Sequence, residues 1–319
     1  MKDGMRIVIT DYGFPNVLIE KGLVESAGGE LQAFQCRTEL EVIEAARTAD
    51  ALLVQFAPVT SAVIAALTHC KAIVRYGVGV DNIDIEAARA RGISVCNIPD
   101  YCVDEVADHT FSLAMALTRQ IAETDALVRR GVWKQKPPRP MPASRNMTFV
   151  TIGFGRIARA VLQRAEACGF NLATCDPYLP ENSDMPIHIR NLNMKQALVA
   201  ADVLSLHVPL TDTTRHLINA DKLSFLKPTS VLINTARGGL VDGVALAEAL
   251  NSGQLGGAGL DVFEEEPLPH NHPLLTCPNI LLTSHMAWYS EASSPELQRM
   301  AAQEAIRALQ EQPLHSRIV

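Results

Sequence analysis

The amino-acid sequence predicts an α/β protein made of two doubly wound domains, each built on a parallel sheet. Three observations lead there. The chain has 319 residues, more than one hydrophobic core usually encloses. Short apolar runs alternate with stretches of helical period, the pattern of strands joined by right-handed helical crossovers. That alternation stops once and restarts, so the chain carries it twice.

In the first series, Ile7-Val8-Ile9, Ala51-Leu52-Leu53-Val54, Ala72-Ile73-Val74 and Ile93-Ser94-Val95 read as buried strands. Helices are expected over 39–49, 61–67 and 85–91. The series breaks at Asn97-Ile98-Pro99-Asp100, whose proline and turn-forming side chains mark a hinge. One long helix is expected over 104–130, with Val106, Thr110, Leu113, Leu117 and Ile121 striping the face toward a core or a partner chain. Residues 136–142 hold four prolines and should be irregular. The second series places strands at 149–152, 172–175, 203–207, 231–234 and 280–283, and helices at 156–168, 195–200 and 243–251. A last helix near 295–310 carries Leu297, Ala301, Ala305 and Leu309 on one face.

Composition narrows the function classes. Apolar residues make up 48% and charged residues 20%, a globular balance rather than a disordered one. Twenty-eight basic against thirty-five acidic residues give a net charge of −7, which speaks against gripping nucleic-acid phosphates. The longest uncharged helical stretch, 110–118, is about half a membrane span, so no membrane partner is expected. Seven cysteines, with no Cys-x-x-Cys pair among them, suit neither a disulfide framework nor a zinc ribbon. No metal site is expected. The start leads directly into the apolar run 5–10 without a secretory pattern, and a reduced cytoplasmic setting is the expectation.

The second series opens with Val150-Thr151-Ile152-Gly153-Phe154-Gly155-Arg156-Ile157-Ala158, a G-x-G-x-x-A turn between a strand and a helix. Gly153 allows the tight turn, and Gly155 lets backbone approach a pyrophosphate at the helix N-terminus. Asp176, eighteen residues beyond Ala158, ends the next strand, where a carboxylate can take the ribose hydroxyls of an adenosine. That carboxylate repels a 2′-phosphate, and Pro177-Tyr178-Leu179 supplies no offsetting base. The cofactor expected is NAD (NADH) rather than its phosphorylated form.

Three polar residues follow apolar runs farther on: Arg237 in Asn234-Thr235-Ala236-Arg237-Gly238-Gly239, Glu266 in Glu264-Glu265-Glu266-Pro267, and His285 in Thr283-Ser284-His285-Met286-Ala287-Trp288. Separately they also read as a surface ion pair, a solvated acidic loop and a structural histidine. Together, past strand ends and downstream of a nucleotide turn, they suit one reaction. Arginine forks onto a 2-oxo carboxylate, histidine moves the alcohol proton, and a carboxylate behind the histidine orients it.

These segments resemble the D-isomer-specific 2-hydroxyacid dehydrogenases over nearly the whole chain. The resemblance also rests on Gly77-Val78-Gly79-Val80-Asp81-Asn82-Ile83-Asp84, Val95-Cys96-Asn97-Ile98-Pro99, Glu105-Val106-Ala107-Asp108-His109 and His207-Val208-Pro209-Leu210-Thr211. It implies a Rossmann NAD-binding domain at 100–286 inserted into a flavodoxin-like substrate domain of 1–99 and 287–319. It also implies a homodimer with the long helix at its interface. By the same resemblance, Val78 and Gly79 amides hold the substrate carboxylate with Arg237, and His285 is the acid/base paired to Glu266. Val208 and Pro209 line the adenine side and Thr235, Ala236 and Asp261 the nicotinamide pocket, while Gly153, Gly155, Arg156, Ile157, His207 and Thr214 complete the cofactor-binding set. Ala158 stands in place of the commoner third glycine, and Asn146-Met147-Thr148 in place of a glycine-lysine pair.

A narrower similarity is to the carboxyl-terminal-binding-protein branch, through Val74-Arg75-Tyr76-Gly77 and His285-Met286-Ala287-Trp288. It implies that Arg75 makes a second carboxylate contact and that Trp288 walls the side-chain pocket. The expected activity is reversible NADH-dependent reduction of a 2-keto acid to the D-2-hydroxy acid. An NAD(H)-sensing, corepressor-like binding protein is the alternative. A tryptophan wall suits phenylpyruvate-like or thioether keto acids, with 3-phosphoglycerate, hydroxypyruvate and glyoxylate as the other substrates.

Overall fold

The computed structural model describes residues 4–133, 136–180 and 184–319. The chain divides into two compact units, Met1–Cys102 with Tyr289–Val319, and Val103–Trp288. The chain passes between them a few residues beyond the expected points.

The first unit runs β1 (Arg6–Ile9), α1 (Leu18–Ser26), β2 (Glu30–Ala33), α2 (Glu39–Ala46), β3 (Ala51–Val54), α3 (Ser61–Ala66), β4 (Ala72–Arg75), α4 (Ile85–Ala90) and β5 (Ser94–Cys96). Its strands form one parallel sheet in the order β2-β1-β3-β4-β5. Ile7, Val8, Ile9, Leu52, Leu53, Ile73 and Val74 are fully buried, as continuous aliphatic runs covered on both faces must be. Thr38, Thr60 and Asp84 accept backbone N–H bonds at the starts of α2, α3 and α4, which is why those helices begin where they do.

Two elements here carry no sequence signal. β2 is an edge strand without an apolar run, held by its register with β1. α1 contains a glycine and buries only Glu20 and Val24. The Glu20 carboxylate is satisfied by the hydroxyl of buried Tyr76 at 2.8 Å and by Gln298 Nε2 at 2.9 Å. Gln298 lies on the last helix, Ser293–Leu309, whose Leu297, Ala301 and Ala305 are buried as the periodicity requires.

The second unit holds α5 (Val103–Thr118), α6 (Ile121–Arg129), β6 (Thr148–Ile152), α7 (Arg156–Ala167), β7 (Asn171–Cys175), β8 (Arg190–Asn191), α8 (Met194–Ala200), β9 (Val203–Leu206), α9 (Ala220–Leu223), β10 (Val231–Asn234), α10 (Gly243–Asn251), β11 (Gly257–Leu260) and β12 (Ile280–Leu282). Its sheet is parallel throughout, in the order β12-β11-β10-β9-β6-β7-β8. Two doubly wound α/β units are therefore present, as the sequence predicts. Among the described residues, no helix is long and apolar enough to cross a membrane.

The single helix expected over 104–130 is two helices. Gln120 adopts φ +52° between α5 and α6, and its buried amide is bonded both to Arg139 O at 3.0 Å and from Arg139 N at 3.2 Å. A contact across the chain thus fixes a break that helical period alone does not show. Val106, Thr110, Leu113 and Leu117 of the stripe are buried, while Ile121, past the break, is exposed. β11 was also hidden, because Gly257-Ala258-Gly259 lacks strand propensity. Close helix packing requires those glycines: a Cβ at Gly259 would lie 3.1 Å from Leu113 Cβ, and one at Gly257 3.2 Å from the Leu117 side chain.

Candidate active site

In the second unit, the ends of β10, β11 and β12 carry the three polar residues. Asp261, directly after β11, is fully buried. Its Oδ1 accepts the Thr283 hydroxyl at 2.6 Å and Met286 N–H at 3.0 Å, and its Oδ2 accepts Ala287 N–H at 2.9 Å. Its carbonyl accepts His285 N–H at 2.7 Å. These bonds hold His285 at φ +54°, a left-handed conformation that costs an L-residue about 1–2 kcal/mol. The half-buried Trp288 indole donates to His285 O at 2.9 Å, pinning the turn from its other side.

Glu266 arrives from the loop after β11. Its Oε1 accepts Phe263 N–H at 2.9 Å and its Oε2 lies 2.6 Å from His285 Nδ1. A carboxylate only accepts, so Nδ1 carries the proton and Nε2 is the ring atom available for exchange. Burial works against the Glu266 charge. The bonds from His285 and Phe263, with the charges of His285 and Arg237, outweigh it and hold the carboxyl below its ordinary range. The sign follows: the pairing is complete above the ordinary carboxyl pKa and is lost only as pH falls through the lower value.

Arg237 follows β10. Buried Asn234 shapes that turn, donating to Arg237 O at 2.9 Å and accepting from Ala236 N at 3.1 Å. Gly238 lets the Arg237 segment meet the Glu266 loop, because a Cβ there would lie 1.9 Å from the carbonyl carbon of Phe263. Thr235 is buried, and its hydroxyl is 2.7 Å from that of Thr110. Asn234, Gly238, Thr283, His109 and Thr110 were not singled out from the sequence for the site. Asn234, Gly238, His109 and Thr283 sit inside motifs already noticed, and Thr110 in the stripe of the long helix, but nothing local marks their part in the site.

At the far side of the strand-order reversal, between β6 and β9, lies the glycine turn. Gly153 has φ +95°, and a Cβ on it would stand 2.7 Å from His207 O and 3.0 Å from Val208 Cγ1. Gly155 starts α7 without a side-chain cap, and a Cβ on it would meet nothing within 4 Å among the described residues. The first N–H groups of a twelve-residue helix thus lie behind open space, which suits a phosphate. Arg156 is exposed there, whereas Ile157 packs partly into the core beside β6. The Asp176 carboxylate accepts Phe154 N–H and Tyr178 N–H, both at 3.0 Å, and keeps lone pairs for further donors. His207 Nε2 is 2.8 Å from Ser205 Oγ, and burial pushes its pKa down to about 3. Thr214 donates to Pro209 O at 2.7 Å and shapes the following loop. The residues present fit a dinucleotide.

In the first unit, Arg75 ends β4 and folds over Gly77, where a Cβ would collide with Arg75 Nη1 at 1.8 Å and φ is +131°. Val78 and Gly79 are half-buried beyond it, and Asn97 Nδ2 donates to Val78 O at 2.6 Å.

The family model for the D-isomer specific 2-hydroxyacid dehydrogenase NAD binding domain matches residues 111–287. The chain is 40% identical over 302 residues to a D-3-phosphoglycerate dehydrogenase of Methanocaldococcus jannaschii, covering 93% of this chain and 55% of that one. It is 36% identical over 269 residues to a glyoxylate reductase of Korarchaeum cryptofilum, covering 83% and 81%. The structure of a D-lactate dehydrogenase from Aquifex aeolicus, complexed with NAD and lactic acid, superposes with a TM-score of 0.87 at 26% identity, covering 98% and 99%. The chain spans about half the length of the phosphoglycerate dehydrogenases it matches.

Proposed function

The chain belongs to the D-isomer specific 2-hydroxyacid dehydrogenase family, with an NAD-binding domain in its second unit, and on that premise we propose that it interconverts a 2-keto acid and a D-2-hydroxy acid. The observation that carries this reading is the 2.6 Å bond between His285 and Glu266, with the Arg237 charge acting on the same carboxylate. Glu266 fixes the imidazole tautomer and its orientation. His285 Nε2 gives a proton to the keto oxygen as it becomes a hydroxyl, and takes it back in the reverse direction. Arg237 holds the substrate carboxylate and steadies the charge developing on the oxygen. Val78 and Gly79 N–H groups and Arg75 serve the same carboxylate.

Gly153, Gly155, Arg156 and Ile157 hold the pyrophosphate of NAD(H), Asp176 the adenosine ribose, and His207, Val208, Pro209 and Thr214 the adenine side. Thr235, Ala236 and Asp261 border the nicotinamide. The bound dinucleotide supplies the hydride in one direction and accepts it in the other. In this assignment residues 1–99 and 287–319 form the substrate domain and 100–286 the nucleotide domain.

The substrate favoured is a keto acid with an uncharged, apolar side chain. In the loops that follow the strands of the first sheet the one lysine or arginine is Arg37, and Arg75 ends β4 itself. Arg37 follows the edge strand β2, three places from β4, so a phosphoryl group has little to pair with. Trp288 supplies an aromatic wall instead. A homodimer fits the exposed Ile121, Val128 and Trp133 on and after α6, which buries none of its own residues. Free cysteines throughout fit the cytoplasm.

The test is NADH oxidation over a panel of 2-keto acids, with phosphohydroxypyruvate and glyoxylate included. Phenylpyruvate-like or thioether acids should show the highest kcat/KM. His285→Asn should lower turnover by about 10²–10⁴-fold while NADH still quenches protein fluorescence at parental concentrations. Retained turnover would refute the assignment of His285.

A further inference from the structure

One turn of α5 reaches the base of two strand ends that carry the reaction. Thr110 donates its hydroxyl proton to Val106 O at 2.7 Å. The 2.7 Å contact with Thr235 is therefore a bond donated by Thr235, two residues before Arg237. Next to it, His109 Nε2 lies 2.9 Å from Thr283 Oγ1, two residues before His285. Thr283 spends its own proton on Asp261 Oδ1 at 2.6 Å. Its oxygen must then accept from His109, which makes Nε2 the protonated nitrogen of that ring.

Asp261 is where this chain of bonds meets the site. Its carboxylate and carbonyl together bind Thr283, His285, Met286 and Ala287. His285 holds a positive φ only inside that frame. His109 is half-buried, its side chain 22% exposed, and the apolar core of α5 is carried by Leu113, Ala114 and Leu117. A polar ring beside that core, donating to Thr283 and standing 3.7 Å from Asp261 Oδ1, is placed for orientation as well as for packing.

We propose that His109 and Thr110 are positioning residues, and that His109 acts through Thr283 and Asp261 to hold His285 in its working conformation. Loss of the His109 bond lets the Thr283 hydroxyl rotate away from Asp261 and loosens the 283–287 turn. A displacement of about 1 Å of a reacting group is enough to cost about a hundredfold in rate. The inference rests on His285 being the acid/base.

His109→Ala should lower kcat by about ten- to a hundredfold, with the KM for keto acid, the NADH affinity and the Tm near parental values. His109→Gln, whose Nε2 can donate to Thr283, should recover most of the rate. Thr283→Val, which also removes the bond to Asp261, should lose at least as much, and His109→Ala added to it should cost little further, since the oxygen to which His109 donates is already gone. If the alanine variant does not fold, Thr283→Val against Thr283→Ser carries the same test, because only serine keeps the hydroxyl. A parental kcat in His109→Ala, equal rates in the two Thr283 variants, or additive losses in the double variant would overturn the proposal. His285→Asn is assayed alongside: if it still turns over, the functional reading fails and this inference with it. If it is inactive while His109→Ala is parental, only the positioning role falls.

Discussion

Each sheet reverses its strand order once, between β1 and β3 in the first unit and between β6 and β9 in the second, and the two crevices are filled differently. After β1 comes Asp11, a buried carboxylate that accepts the Thr10 hydroxyl at 2.8 Å, Gln55 N–H at 3.1 Å and Phe56 N–H at 2.6 Å. After β6 comes Gly153, followed by a helix that starts without a side-chain cap. Backbone donors converge at both places, as strand order alone requires. In the first crevice the chain's own anion consumes them, and in the second they are left for an exogenous one. Topology therefore locates the possible ligand sites, and the residue after one strand decides which of them is used.

The largest expected effect tests the filled crevice. Asp11→Ala leaves two N–H groups near β3 without their acceptor, at about 1–3 kcal/mol each. Urea unfolding should show a loss of about 3 kcal/mol in the first unit, with NADH affinity parental. Asp11→Asn keeps one acceptor oxygen and should lose about half as much. If NADH binding weakens instead, the two crevices are not independent in the way described.

Next is the open crevice. Gly153→Ala forces a Cβ to within 2.7 Å of His207 O at φ +95°, a strain of about 2 kcal/mol, or about thirtyfold in the Kd for NADH. A parental Kd by fluorescence titration would show that the turn has room to relax.

A smaller effect comes from His207, beside that turn. Its pKa in the folded protein is about 3, against about 6.5 when unfolded. The unfolded chain therefore takes up the proton first, and stability is full above about pH 6.5 and lost as pH falls toward 3. Between pH 7.5 and 5.5 the loss is about 1.4 kcal/mol, and it should vanish from the pH slope of His207→Gln in chemical denaturation. An unchanged slope would mean that the imidazole is solvated.

The smallest concerns Asp176. Asp176→Asn removes the charge that repels a 2′-phosphate, and the ratio of kcat/KM for NADH over NADPH should fall about fivefold, or about 1 kcal/mol. A ratio that does not move would assign the preference elsewhere.

Much of the fold was legible, and the reasons are local. Aliphatic runs mark strands buried on both faces, and Gly153 with Asp176 marks a strand-turn-helix that serves a nucleotide. The elements that escaped have their causes elsewhere in the chain. β2 lies at an edge and needs only the pairing offered by β1. β11 gives up side chains so that α5 can approach. The α5–α6 break depends on Arg139, nineteen residues beyond Gln120. In the site, Arg237, Glu266 and His285 stood out because charged and titratable side chains past apolar strands are unusual. His109, Thr110 and Thr283 did not, since hydroxyls and a histidine on a helix face have ordinary explanations.

The sequence by itself determined the two α/β series, the glycine turn with its acid, and the identity of the three polar residues. Each depends on a spacing of a few residues, within which backbone geometry leaves few choices. Tertiary structure decided how those residues are held. Glu266 meets His285 across nineteen positions, Thr110 meets Thr235 across 125, and His109 meets Thr283 across 174. Contacts at such separations exist only after the sheet has set its strand order and α5 has packed on β11. Until then a hydroxyl has no partner to orient, and a histidine has no frame to hold it.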